Sequence, residues 1–152
     1  MKILDCTLRD GGYYTDWDFD DAIVDGYLES CERLPIDYLE VGYRSTPMTS
    51  YCGKYFYLPV TVLERLRQKS SKRLAVAINE KSTRVEDIPA LLDPCDGLID
   101  MVRLIVAPAN LDRAYRVAEA IRSRDVELAI NVMYMSSWRE HASIFDQIGR
   151  IS

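Results

Sequence analysis

Apolar residues along this chain come in blocks, and the blocks change period. Short, nearly unbroken apolar runs occur at Ile3-Leu4-Asp5-Cys6-Thr7 and in IDYLEVGY (36–43), RLAVAINE (73–80), IDMVRLIVA (99–107) and VELAINVMYM (126–135). Runs of this length, apolar on both faces, are expected of strands buried within a parallel sheet. Between them the period lengthens. In DFDDAIVDGYLESCERL (18–34), residues Ile23, Val24, Tyr27, Leu28, Cys31 and Leu34 fall at helical spacing behind an acidic start, and Pro35 ends the run. PVTVLERLRQKS (59–70) and NLDRAYRVAEAIRSR (110–124) read the same way, with Pro59 near the first start and Asn110 as N-cap of the second. A fifth helix is expected in SSWREHASIFDQIGR (136–150), capped by Ser136 or Ser137. STRVEDIPALLDP (82–94) has room for a helical turn or two between its prolines, and Gly11-Gly12 marks a loop after the first strand. Tyr51 to Tyr57 is expected to form an aromatic loop, for packing or an interface rather than a cofactor box.

Five strand–helix units make an α/β protein with right-handed crossovers. Two architectures compete. An open doubly wound sheet is complete with five strands, whereas a (β/α)8 barrel takes roughly 200–250 residues. Against the first, the loop after strand one has no Gly-x-Gly-x-x-Gly for a pyrophosphate, and no Walker-type lysine loop occurs. The pattern alone leaves both open.

Composition narrows the chemistry. Acids outnumber bases 24 to 19 over 152 residues, a net charge of −5, which gives no basic footprint for nucleic acid or an anionic membrane. The opening apolar run is too short for a signal peptide, and no stretch approaches the roughly 20 apolar residues of a membrane span. Cys6, Cys31, Cys52 and Cys95 are scattered, with no CxxC pair, and are expected to be free, mostly buried thiols in a reducing cytoplasm. His141 is the single histidine, so a metal site must rest on carboxylates or on ligands from elsewhere. It lies alone in the last expected helix and is not read as a ligand.

The stretch DCTLRDGG (5–12) places a guanidinium and a carboxylate side by side at the end of the first strand. It resembles the D-x-T-L-R-D-G motif of the HMG-CoA-lyase-like aldolases, the DRE-TIM metallolyases, through Asp5, Thr7, Leu8, Arg9, Asp10 and Gly11. YLEVGYRS (38–45) resembles the E-V-G segment of the same group, with Glu40 in the matching place. The resemblance runs through all five units but is sharp in the first two. It implies a TIM barrel of which this chain carries about the first five βα units, residues 1–152 being the N-terminal portion of an aldolase-type catalytic domain. Such a piece exposes sheet edges and a barrel interior, which invite self-association or a covering partner.

The resemblance also implies metal-dependent aldol or retro-aldol chemistry on a 2-oxo acid through an enolate, as in the 4-hydroxy-2-oxovalerate aldolases. Asp10 is then the ligand of Mn²⁺ or Mg²⁺, Arg9 the donor to the enolate oxygen, and Glu40 the group that holds Arg9. Two family features are absent: the late His-x-His metal pair, and the base histidine shortly after R-D-G, where Tyr13 stands nearest. Tyr13 is therefore either a proton-transfer or substrate-contact residue, or aromatic packing. Arg103, a charge within an apolar strand, binds a substrate carboxylate or forms a structural ion pair. Asn79 and Asn131, near strand ends, are expected to line the pocket. A synthase condensing an acyl-CoA with a 2-oxo acid, or a catalytically silent association module, are the alternatives.

Overall fold

The computed structural model describes residues 1–141 and 143–151. The chain runs β1 (Leu4–Asp5), α1 (Thr7–Thr15), α2 (Asp21–Glu32), β2 (Tyr38–Tyr43), α3 (Lys54–Tyr57), α4 (Val60–Lys69), β3 (Arg73–Asn79), α5 (Ile88–Leu92), β4 (Met101–Val106), α6 (Leu111–Arg122), β5 (Glu127–Val132) and α7 (Ile144–Ile151), with short 3₁₀ turns between. All four strand pairings are parallel, and spatial order follows chain order from β1 to β5. That order decides between the two architectures, because a doubly wound sheet reverses direction at a switch point and a barrel does not. The five strands form a curled half-barrel, the first five βα units of a TIM barrel.

Alternation along each strand divides the sheet into two faces. In β2, Leu39 and Val41 join the main core with Leu74, Val76 and the buried faces of α2, α4 and α6, while Tyr38 belongs to a separate inner cluster with Ala75 and Met101. Below that cluster, Glu127 at the start of β5 accepts hydrogen bonds from Lys2 Nζ (2.8 Å), Tyr38 Oη (2.7 Å) and Arg73 Nη1 (3.1 Å). Lys2 precedes β1, so this polar layer joins the two edges of the sheet. The edge strands β1 and β5 remain partly exposed.

The E-V-G segment has a physical reason. Glu40 pairs in register with Ala75 and Tyr43 with Ala77, so an extra residue is accommodated between them as a bulge. Ala75 and Ala77 share a face, and the bulge therefore puts Glu40 and Tyr43, three residues apart, on the same side. Gly42 sits in it with φ +156°, and a Cβ there would lie 2.0 Å from the Tyr55 carbonyl oxygen. Gly42→Ala is expected to destabilise the fold by about 3 kcal/mol. A urea titration showing a loss below about 1 kcal/mol would mean that the close approach of α3 is not required.

Several local expectations are corrected. Residues after β1 form no loop: α1 starts at Thr7, whose N–H is accepted by Asp5 Oδ1 (2.9 Å), and carries Arg9, Asp10 and both glycines. Gly12 is needed for contact rather than for a turn, since a Cβ there would overlap the Trp17 indole at 2.0 Å. Part of the aromatic loop is the short helix α3, with Tyr55 fully buried. Asn110 does not cap α6 with its side chain, because its amide donates to the buried Glu80 (3.0 Å). The expected fifth helix is split into a 3₁₀ turn at Met135–Glu140 and α7, as Trp138 Nε1 reaches back to the Met133 carbonyl (3.0 Å) and draws the chain into a tighter coil. Ser136 and Ser137 lie in that turn and cap nothing, and residues 142 and 152 of the expected stretch fall outside the described ones. Ile23 and Leu34, counted on the apolar stripe of α2, are exposed. All four cysteines are free; Cys31 and Cys95 are buried, Cys6 and Cys52 only partly so. No helix among the described residues is long and apolar enough to cross a membrane.

Candidate active site at the strand ends

Glu40 is the centre of the site. Its side chain is 0% exposed and accepts from Arg9 Nε (2.8 Å) on one side and from Arg103 Nε and Nη2 (2.7 and 2.6 Å) on the other. Three elements supply the group: α1 carries Arg9 just beyond β1, β2 carries Glu40, and β4 carries Arg103. Small neighbours make room for two guanidinium groups, because Ala77 pairs with Arg103 in register and Ala129 follows on β5. One carboxylate lies between the two arginines, and a second, Asp10, pairs with Arg9 through Nη1.

Burial disfavours the Arg9 charge, yet hydrogen bonding to Glu40 and the nearby negative charges outweigh it and hold its pKa above the ordinary range. The guanidinium is thus a fixed cation, presented by partners that are themselves fixed. Asp10 is half exposed, and its Oδ2 accepts from the Cys6 thiol at 3.0 Å. Burial, then the Asp10 carboxylate, push the Cys6 thiol up, so Cys6 stays protonated and serves as a donor here.

Tyr13 packs in the aromatic group and also bonds a second tyrosine. Its ring packs edge-on against Trp17 (centroids 4.8 Å apart), and its hydroxyl lies 2.9 Å from the Tyr43 hydroxyl. Burial and the Tyr13 hydrogen bond raise the Tyr43 pKa, while Arg9 pulls the other way. Tyr43 was missed as a site residue. The signal was available only through the bulge, because simple alternation from Glu40 points residue 43 outward.

Beside this group lies a cleft of about 590 Å³, walled by Tyr13, Trp17, Tyr43, Tyr51, Phe56 and Asn79. Asn79 lines this cleft, and its Oδ1 accepts from the Lys81 N–H (3.0 Å) to hold the turn that follows β3. Asn131 is on the edge strand β5, opposite Ile105, and does not line that cleft. Arg103 is drawn into the ion pair with Glu40.

Whether these residues suit a divalent metal can be judged from the donor set. Asp10 offers one hard carboxylate, already met by a guanidinium and a thiol. Among the described residues no three of His, Cys, Asp and Glu converge to hold an ion. His141 closes the 3₁₀ turn after β5, donating its backbone N–H to Trp138 O (3.0 Å). The described residues thus form no complete metal site around Asp10.

Comparisons with known proteins agree with the fold. No protein-family model and no curated protein matches the chain. Among solved structures, the chain is similar to the N-terminal domain of a "putative aldolase" from Bacteroides vulgatus, with 52% identity over 99% of this chain and a TM-score of 0.95. The chain spans 50% of the length of that solved chain. An aldolase-like half-barrel is thereby supported from outside the sequence motif.

Proposed function

We propose that this chain is the N-terminal part of the catalytic domain of a divalent-metal-dependent aldolase of the DRE-TIM type, acting on a 2-oxo acid through an enolate. One observation carries the reading: a fully buried carboxylate inside the half-barrel holds two arginines, and one of them, Arg9, stands just beyond the C-terminal end of β1, the end at which TIM-barrel enzymes place their chemistry. Breaking or making a C–C bond beside a 2-oxo group puts negative charge on the enolate oxygen. A preorganised guanidinium lowers the cost of that charge because it does not have to reorient as the charge develops.

Arg9 is the group that meets the enolate oxygen, and Glu40 positions it. Arg103 completes the positive field and has one nitrogen, Nη1, left over for a substrate carboxylate. Tyr13 and Tyr43 form a hydroxyl pair able to pass a proton between the cleft and the reacting end. Asp10 contributes a single hard oxygen to Mn²⁺ or Mg²⁺. That ion, when bound, supplies Lewis acidity, and its other ligands come from the substrate, from water or from another segment.

The partial ligand set is the observation that favours a second reading, a silent association module. Calorimetric titration with Mn²⁺ in the presence and absence of oxalate separates the two. Metal binding is expected to strengthen at least about tenfold with oxalate and to be lost in Asp10→Ala, in line with loss of one charged ligand. An intact chain that binds neither ion nor oxalate fits the silent module instead.

A further inference from the structure

A second cleft of about 610 Å³ lies next to the aromatic one, where the turns after β3 face α6. Lys81, Ser82, Arg84, Arg113 and Arg116 line it, with Glu86 as the one acid among its lining residues. Four cations around one cavity run against a chain whose net charge is −5. Arg113 and Arg116 are three apart on α6 and so share a face. Arg113 is fixed from below: its Nε pairs with Glu80 (2.9 Å), which is 1% exposed, and its Nη2 donates to the carbonyls of Glu80 and Thr83 (3.1 and 3.3 Å). The Lys81 ammonium and the Arg84 and Arg116 guanidinium groups have no carboxylate partner among the described residues. The buried Thr83 hydroxyl beneath them has no hydrogen-bond partner either.

Lys81 and Ser82 also line the aromatic cleft, so the two cavities share a rim. The aromatic cleft adjoins Arg9 through Tyr43, which lines it, and the other cleft ends in unpaired positive charge. We propose that the basic cleft holds a terminal phosphate monoester, carried on the tail of the substrate whose oxo-acid end lies at Arg9. Arginine forks suit phosphate oxygens geometrically, and a dianion neutralises the excess charge that the fold leaves there. Between the two ends the cleft is walled largely by aromatic rings, with Asp16 and Ser45 among them, and gives room for a short hydroxylated carbon chain. The placement of the oxo-acid end rests on the reading proposed above; the phosphate cleft itself does not.

Calorimetry with three probes tests this on the chain as it stands: inorganic phosphate, a 2-oxo-3-deoxyaldonate 6-phosphate, and the same acid without its phosphate. The chain is compared with Arg84→Gln/Arg116→Gln and with Arg9→Gln, and thermal melts show that each variant is folded. Phosphate is expected to bind the chain and Arg9→Gln alike, and to weaken at least about tenfold in the double variant. The phosphorylated acid is expected to bind at least about tenfold more tightly than phosphate and to be weakened by both variants. Unchanged phosphate binding in the double variant overturns the cleft assignment. A phosphorylated acid that binds no better than free phosphate overturns the tail and leaves a site for the free anion. Should the unphosphorylated acid bind Arg9→Gln as well as it binds the chain, the enolate-site reading fails separately, and with it the placement of the oxo-acid end.

Discussion

Glu40→Ala is expected to destabilise the half-barrel by about 3–5 kcal/mol, because it leaves Arg103 without a carboxylate and Arg9 with only the half-exposed Asp10. Arg9 and Arg103 both direct Nε at this carboxylate, and Arg103 adds Nη2, so three charge-assisted hydrogen bonds vanish together. What remains is two guanidinium groups, 10% and 17% exposed in their side chains, with no carboxylate between them. A domain of this size has about 5–15 kcal/mol of stability to lose, so the variant should melt far earlier or fail to accumulate. Glu40→Gln keeps the shape and some acceptor capacity and should fall between the two. Adding Arg103→Met to Glu40→Ala should recover part of the loss, since one stranded charge is removed with it. A urea midpoint for Glu40→Ala that matches the parent would show that water reaches the pair freely and that the buried description is wrong.

Arg9→Ala separates chemistry from folding. Removing this side chain leaves Glu40 still held by both Arg103 bonds, so the buried carboxylate keeps a counter-charge. The stability cost is expected to stay near 1–2 kcal/mol, about one charge-assisted hydrogen bond. The functional cost is expected to be much larger: affinity for oxalate, which carries the charge pattern of a pyruvate enolate, should fall by about two orders of magnitude, the usual effect of losing one preorganised donor. Arg9→Lys keeps the charge but loses the fork and should recover only part of the loss. Oxalate binding that is indifferent to both variants would remove Arg9 from the proposed role.

The sequence was most legible where burial is two-sided. β2, β3 and β4 carry nearly unbroken apolar runs, and each was placed to within a residue or two, as were α4 and α6, with α2 within three. Strand order was not written in periodicity. It followed from the resemblance around Arg9 and Asp10, and the sequential pairing of β1 to β5 bears it out. The misreadings share one cause, contacts made at a distance along the chain. Gly12 looks like a turn until Trp17 is folded onto it, and Asn110 looks like a cap until Glu80 claims its amide. The ion pair of Glu40 with Arg9 was foreseeable from the motif. The second arm through Arg103 was one of two options, and geometry selected it. Tyr43 and the basic cleft were invisible, because one depends on a bulge and the other gathers residues from two turns and a helix.

The link between Lys2 and Glu127 spans 125 positions, almost the whole chain. Every strand pairing, by contrast, joins neighbours in synthesis order, so each βα unit can dock on the one made just before it. The curvature of the sheet is different in kind, since its two margins are tied only once the fifth strand exists. Strand pairing can therefore proceed in the order of synthesis, while the final arc waits for residue 127. An affinity tag fused directly ahead of Met1 would sit two residues from that late contact.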